Sequence, residues 1–224
     1  MIRFLFFDLD GTLTDPYEGI TNSILYALGK MGREPVPRES LRRFIGPPLI
    51  PSFEEFLGMT GEEARRAVTL YREYYAVDGL FENRVYDGTE DALRTLRDEG
   101  YSLSLATSKP EPFAARILER FSLDRYFDEI CGASMDESRV KKGDVIRCLL
   151  GRLSEKNGAD EKEIAARAAM IGDRRHDAEG AAECAIRTVG ALWGYGSADE
   201  LREAGCAALA ASPADLPAAI IALG

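Results

Sequence analysis

The stretch IRFLFF, residues 2 to 7, is apolar except for Arg3 and stops abruptly at Asp8, with a second acid at Asp10. A run this short, apolar at nearly every position, is what a strand buried on both faces of a parallel sheet looks like. The second half of the chain supplies the rest of such a sheet. The strands read there are YSLSLAT, DEICGAS, AAMIGD, IRTVGAL and a poorer one, CAALAA. They alternate with helical patterns in DGTEDALRTLRDEG, EPFAARILERF, KGDVIRCLLGRL, DAEGAAECA, ADELREAG and DLPAAIIAL. Strand–helix alternation implies βαβ units with right-handed crossovers, so the expected class is α/β, a three-layer Rossmann-like core around a parallel sheet.

Between the first strand and this alternating region, residues 16 to 84 read as helices only. Ile20, Ile24, Leu25, Leu28 and Met31 fall at helical spacing, LRRFI reads as a short helix, and helical patterns return at 52–57 and 62–77. GPPLIP is expected to be a loop, because Pro47, Pro48 and Pro51 do not suit a regular helix. The expected organisation is a core of residues 1–15 and 85–224 with an inserted helical cap, residues 16–84. Tyr71, Tyr74 and Tyr75 lie at helical spacing and read as core of that insert.

With 224 residues the chain is long enough for a sizeable core and a smaller lobe, and its formal net charge of -10 repels polyanions. Broad nucleic-acid binding and docking on an anionic membrane are therefore not expected. Cys131, Cys148, Cys184 and Cys206 are too widely spaced for a metal knuckle and read as free thiols of a reducing compartment. The N-terminal run meets acid at once and lacks a small-residue cleavage site, and no apolar stretch approaches bilayer-spanning length. A cytoplasmic protein is expected, as a monomer or weak homodimer.

In open α/β sheets ligands bind beyond the carboxyl ends of the strands. Asp8 and Asp10 follow the first strand, Thr107 and Ser108 end YSLSLAT, and Asp173 ends AAMIGD, with Asp177 four residues on. Several carboxylates gathered at one edge repel unless a cation offsets them. All-oxygen ligands without His or Cys suit a hard cation, and Mg²⁺ in particular. Lys141 and Lys142, just before a helix, add positive charge, and hydroxyl, ammonium and cation together would stabilise a phosphoryl group in transfer. One carboxylate could then act as nucleophile and its neighbour as proton carrier.

FFDLDGTLTD, LSLATSKP, RVKKGDVI and MIGDRRHD resemble, in order and spacing, the four motifs of the haloacid dehalogenase superfamily. The resemblance covers essentially the whole chain. The helical insert, FIGPPL within it and GALWGYGS after the last motif are similar to the phosphoglycolate phosphatase-like branch, which carries a small helical cap. The resemblance implies Asp8 as nucleophile and Asp10 as general acid and base. It implies Mg²⁺ on Asp8, the Asp10 backbone carbonyl and Asp173, with Asp177 helping. Thr107 and Lys142 are implied at the phosphoryl group, Gly11 and Ser108 as backbone donors to it. K-x-[DE]-V-I selects Lys142 over Lys141. Arg43 and Gly46 are the candidate substrate contacts of the cap, although Arg42 and Arg43 read equally as surface charges. His176 is expected to point away from the site.

The implied activity is hydrolysis of a small phosphorylated metabolite, such as 2-phosphoglycolate, a nucleoside 5′-monophosphate, a sugar phosphate or pyrophosphate, through an aspartyl phosphate. Among the alternatives, two stand nearest. A hexose phosphomutase of the same superfamily resembles D-G-V at the first motif and places a His early in the cap, where this chain has Thr12 and none. A non-catalytic phosphate-binding or receiver-like module gathers similar residues but lacks the long insert after its first acidic strand.

Overall fold

The computed structural model describes every residue except Glu137 and divides into two compact units, residues 1–14 with 85–224 and residues 15–84. Eight strands occur among the described residues: β1 (Phe4–Phe7), β2 (Thr14–Asp15), β3 (Arg84–Val85), β4 (Ser102–Pro110), β5 (Glu129–Ala133), β6 (Ala168–Gly172), β7 (Arg187–Ala191) and β8 (Ala208–Ala210). Six form one sheet in the order β5-β4-β1-β6-β7-β8, with every pairing parallel. The chain passes between the units through β2 and β3, which pair with each other.

All four residues of β1 are buried, as a central parallel strand requires. Phe4 and Phe6 face one helical layer, packing with Val145, Ile146 and Leu149 of α6 (Lys142–Asn157), Ile164 of α7 (Glu161–Ala166) and Ala181 of α8 (Arg175–Ala182). The pleat sends Leu5 and Phe7 to the other face, where α4 (Thr89–Asp98) buries Ala92, Leu93 and Leu96 and packs on α10 (Leu216–Ile221). The remaining helices of this unit are α5 (Glu111–Arg120) and α9 (Ala198–Glu203). Each buried Phe or Leu contributes on the order of 2 kcal/mol over leaving it exposed. The central strand is therefore firmly placed.

The smaller unit contains α1 (Tyr17–Lys30), a 3₁₀ segment Arg38–Phe44, α2 (Leu49–Leu57), α3 (Gly61–Tyr74) and a π-helical turn Tyr75–Gly79. Its core includes Ile24, Leu28, Phe44, Phe53 and Val68, with Tyr71 stacked on Tyr75 at 5.2 Å. Gly19 and Gly79 let α1 meet the π turn, since a Cβ on Gly19 would lie 1.9 Å from the Gly79 carbonyl oxygen.

Three details depart from the sequence reading. GPPLIP is not all loop: Pro48 is the N-cap of α2 and Pro51 lies in its first turn, where a missing N–H breaks no helical bond. LRRFI is 3₁₀ rather than α-helical through Phe44, with Ile45 as its extended C-cap. A helix not foreseen, α7, is capped by Asp160, whose side chain accepts from the Lys162 N–H at 2.8 Å. No helix among the described residues is long and apolar enough to cross a membrane.

Candidate active site

β1 lies between β4 and β6 in exact register, Phe7 opposite Leu105 on one side and Ile171 on the other. The chain winds towards β5 in one direction and β8 in the other, so the carboxyl end of β1 is the switch point of the sheet. Asp8 leaves that end with its N–H bonded to the Ile171 carbonyl at 2.9 Å. Thr107 on β4 and Asp173 directly after β6 stand beside it, and all three are buried.

One ligand atom from each of Asp8, Asp173 and Asp177 lies within 4.8 Å of the others, and all three side chains are buried. Lys142, the first residue of α6, enters this group. Its Nζ is 2.8 Å from Asp8 Oδ1 and 2.8 Å from Asp177 Oδ1, and it donates to the Ala106 carbonyl at 2.9 Å. Lys141 is exposed at the N-cap. Asp8 Oδ1 is buried and meets the Lys142 ammonium as an ion pair, while Asp10 Oδ1 is a buried oxygen that receives no hydrogen bond.

The electrostatics show the crowding. Burial pushes the Asp173 carboxyl well up, and Asp177 and Asp8 push it further. Burial raises Asp177 to about 6; Lys142 pulls it down and Asp8 pushes it up. Burial would lower Lys142, but Asp177 and Asp8 outweigh it and hold the ammonium charged. Asp10 is raised by burial, with Lys109 opposing. Four carboxylates face two ammonium groups here, a deficit of positive charge that a divalent cation would offset.

Asp173 is held from several sides. Its Oδ1 accepts from Thr12 Oγ1 at 3.2 Å and its Oδ2 from the Tyr195 N–H at 2.8 Å. Trp193 Nε1 donates to the Thr12 carbonyl at 2.9 Å, linking the segment after β7 to the segment after β1. Gly11 (φ +87°) and Gly194 leave the room: a Cβ on either would lie 2.3 Å from an Asp173 atom. Asp177 sits in the first turn of α8, where its Oδ2 accepts from the Arg174 N–H at 3.1 Å. It thus serves the helix end and the cluster together.

Ser108 is half-buried, and neither it nor Thr107 caps α5, whose N-cap is Pro110. Thr107 Oγ1 instead accepts from the Lys109 N–H at 3.2 Å. Lys109 is the residue that the sequence did not reveal: it is buried and paired with Asp10 Oδ2. Its place two residues after Thr107, on the same face of a strand, is the one signal that could have found it. His176 is partly exposed, 3.7 Å from Glu179. In the smaller unit Gly46 adopts φ +103°, and exposed Arg43 lies over the Phe56 ring and donates to the Phe56 carbonyl at 3.0 Å.

The haloacid dehalogenase-like hydrolase family matches residues 5–191. A curated 5′-nucleotidase of Pseudomonas aeruginosa is 44% identical over 199 residues, covering 88% of this chain and 86% of that one. Tyrosine-protein kinase PtkA of Mycobacterium tuberculosis is 41% identical over 198 residues, covering 88% of this chain and 64% of that longer protein. The crystal structure of a predicted phosphatase from Clostridium acetobutylicum, 41% identical, superposes with a TM-score of 0.90 over 99% of each chain. A match running from β1 through β7, and so through every strand that borders the carboxylate cluster, makes this chain a member of the haloacid dehalogenase-like hydrolase family.

Proposed function

We propose that the protein is a Mg²⁺-dependent phosphomonoesterase acting through an aspartyl phosphate at Asp8. The observation that carries this reading is the buried Asp8 carboxylate at the switch point of the sheet, gathered with Asp173, Asp177 and the Lys142 ammonium. Buried carboxylates brought this close repel one another unless a cation offsets them, which suits a nucleophile beside metal ligands better than a structural role. The cluster also fits a hard cation: its donors are all oxygen, and its carboxylates are under-neutralised. Asp8, Asp173 and the Asp10 carbonyl would hold Mg²⁺, with Asp177 supporting. When bound, Mg²⁺ supplies charge to offset the phosphoryl oxygens against the carboxylates.

Asp8 attacks phosphorus as the bond to the ester oxygen breaks, and Asp10 gives its proton to that leaving oxygen. Water then attacks the phosphoryl group on Asp8, Asp10 takes its proton, and the bond to Asp8 breaks to release phosphate. Thr107, the Lys142 ammonium and the backbone around Gly11 and Ser108 would orient the transferring group. The helical unit is inserted directly after this segment, and we assign substrate choice to it, as a cap, with Arg43 and Gly46 as candidate contacts.

A panel of small phosphomonoesters, assayed for phosphate release with and without Mg²⁺, tests the reading. A nucleoside 5′-monophosphate belongs first, given the name of the relative from P. aeruginosa, followed by 2-phosphoglycolate and sugar phosphates. Mg²⁺-dependent release that disappears in Asp8→Asn supports the proposal; equal inactivity of both proteins over the whole panel refutes it.

A further inference from the structure

The pairing of Lys109 with Asp10 has no part in the chemistry described so far. Lys109 Nζ meets Asp10 Oδ2 across 99 positions of sequence, and the two side chains are only 5% and 13% exposed. Burying an ammonium group is unfavourable unless its partner is well placed, and a buried pair of this kind is a poor source of net stability. The backbone of Lys109 is fixed as closely as its side chain. Its N–H bonds to Thr107 Oγ1, and Gly132 of β5 comes so near that a Cβ there would lie 2.6 Å from the Lys109 carbonyl oxygen. The register between β4 and β5 shifts between Thr107 and Pro110, so this segment is held in a specific, irregular conformation.

Asp10 depends on that anchor. Its Oδ1 receives no hydrogen bond, so the contact of Oδ2 with Lys109 is what the structure shows fixing the carboxyl group. We infer that Lys109 is a positioning residue for Asp10, holding its carboxyl at the one orientation from which a proton reaches the leaving oxygen. This rests on the reading of Asp10 as general acid and base. Lys109 itself exchanges no proton and touches no substrate atom in this role.

Leaving-group dependence separates positioning from other roles, because only a poor leaving group needs the proton. The measurement is kcat/KM with Mg²⁺ for an alkyl phosphate, p-nitrophenyl phosphate and 2,4-dinitrophenyl phosphate. It compares wild type, Lys109→Met, Lys109→Gln, Asp10→Asn and the double variant Lys109→Met/Asp10→Asn. General acid catalysis contributes about 10²–10⁴-fold, so a misplaced acid should cost Lys109→Met about 10–100-fold on the alkyl phosphate and under about 3-fold on the dinitrophenyl ester. On the Asp10→Asn background the Lys109 substitution should add almost nothing. An equal loss on all three esters, or additive losses in the double variant, overturns the inference and makes Lys109 a phosphate contact or a fold residue. Should Lys109→Met not fold, Lys109→Gln decides by the same pattern. If Asp10→Asn itself shows no leaving-group dependence, the reading of Asp10 fails, which is a different result from a failure of Lys109 alone.

Discussion

Gly11 and Gly194 border Asp173 so closely that neither tolerates a side chain. Gly11→Ala adds a left-handed backbone to the clash, a strain of about 1–3 kcal/mol, and should lower the thermal midpoint. Gly194→Ala should act on the cluster itself, by displacing Asp173 Cβ, the Gly11 carbonyl oxygen and the Tyr195 N–H that orients Asp173 Oδ2. Loss of such an orienting partner weakens metal affinity by about 10–100-fold. Trp193, the sole tryptophan, bonds to the Thr12 carbonyl, and Thr12 bonds to Asp173. Its fluorescence should therefore follow a Mg²⁺ titration in the wild type and saturate at higher Mg²⁺ in Gly194→Ala; an unchanged midpoint would contradict this account of Asp173. At this scale the acids were legible because they stand at strand ends in a fixed order. Lys109 was not, because a Lys before a Pro reads as a surface residue, and burial comes from a partner 99 positions away. The contacts of Thr12 and Tyr195 with Asp173 were not legible for a related reason, since Tyr195 acts through its backbone and Thr12 through a partner far along the chain.

Among the elements, α3 carries the most complete local signal. Thr60 and Glu63 form a reciprocal capping box, with Thr60 Oγ1 accepting from the Glu63 N–H and Glu63 accepting from the Thr60 N–H. Thr60→Ala should lower stability by about 1 kcal/mol, measured by denaturant unfolding. The Thr60 N–H, with Arg33 and the Thr60 hydroxyl, brings the Glu63 carboxyl from its ordinary 4.5 down to about 2. A carboxyl lowered on folding stabilises fully above its unfolded value and loses that contribution as pH falls from about 4.5 towards 2. The thermal midpoint of Glu63→Gln should then fall less steeply than that of the wild type in this window; parallel curves would show that the box carries no such linkage. Strands and helices of the core were legible because apolar runs and 3.6-residue spacing alternate so plainly. Pro51 misled because a proline forbids the interior of a helix but not its first turn. The short α7 was missed because six residues hold too little periodicity, leaving its Asp160 cap as the sole signal.

At the scale of the whole molecule, the sheet does the organising. One buried central strand between two neighbours delivers Asp8, Thr107 and Asp173 to a single edge, within the residues 5–191 that the family matches. The sequence carried that much through its order of motifs. It could not carry the choice of substrate, which depends on three-dimensional contacts of scattered residues rather than on a motif. Chelation with EDTA should abolish phosphate release and Mg²⁺ should restore it, while the far-UV circular dichroism stays unchanged, because the sheet is built on buried apolar side chains and not on the ion. In the proposed reaction Asp8 is phosphorylated during turnover. Rapid acid quench with a ³²P-labelled phosphomonoester should trap protein-bound label that hydroxylamine releases and that Asp8→Asn lacks. Phosphate release by the wild type with no such label, or equal labelling of Asp8→Asn, would contradict it.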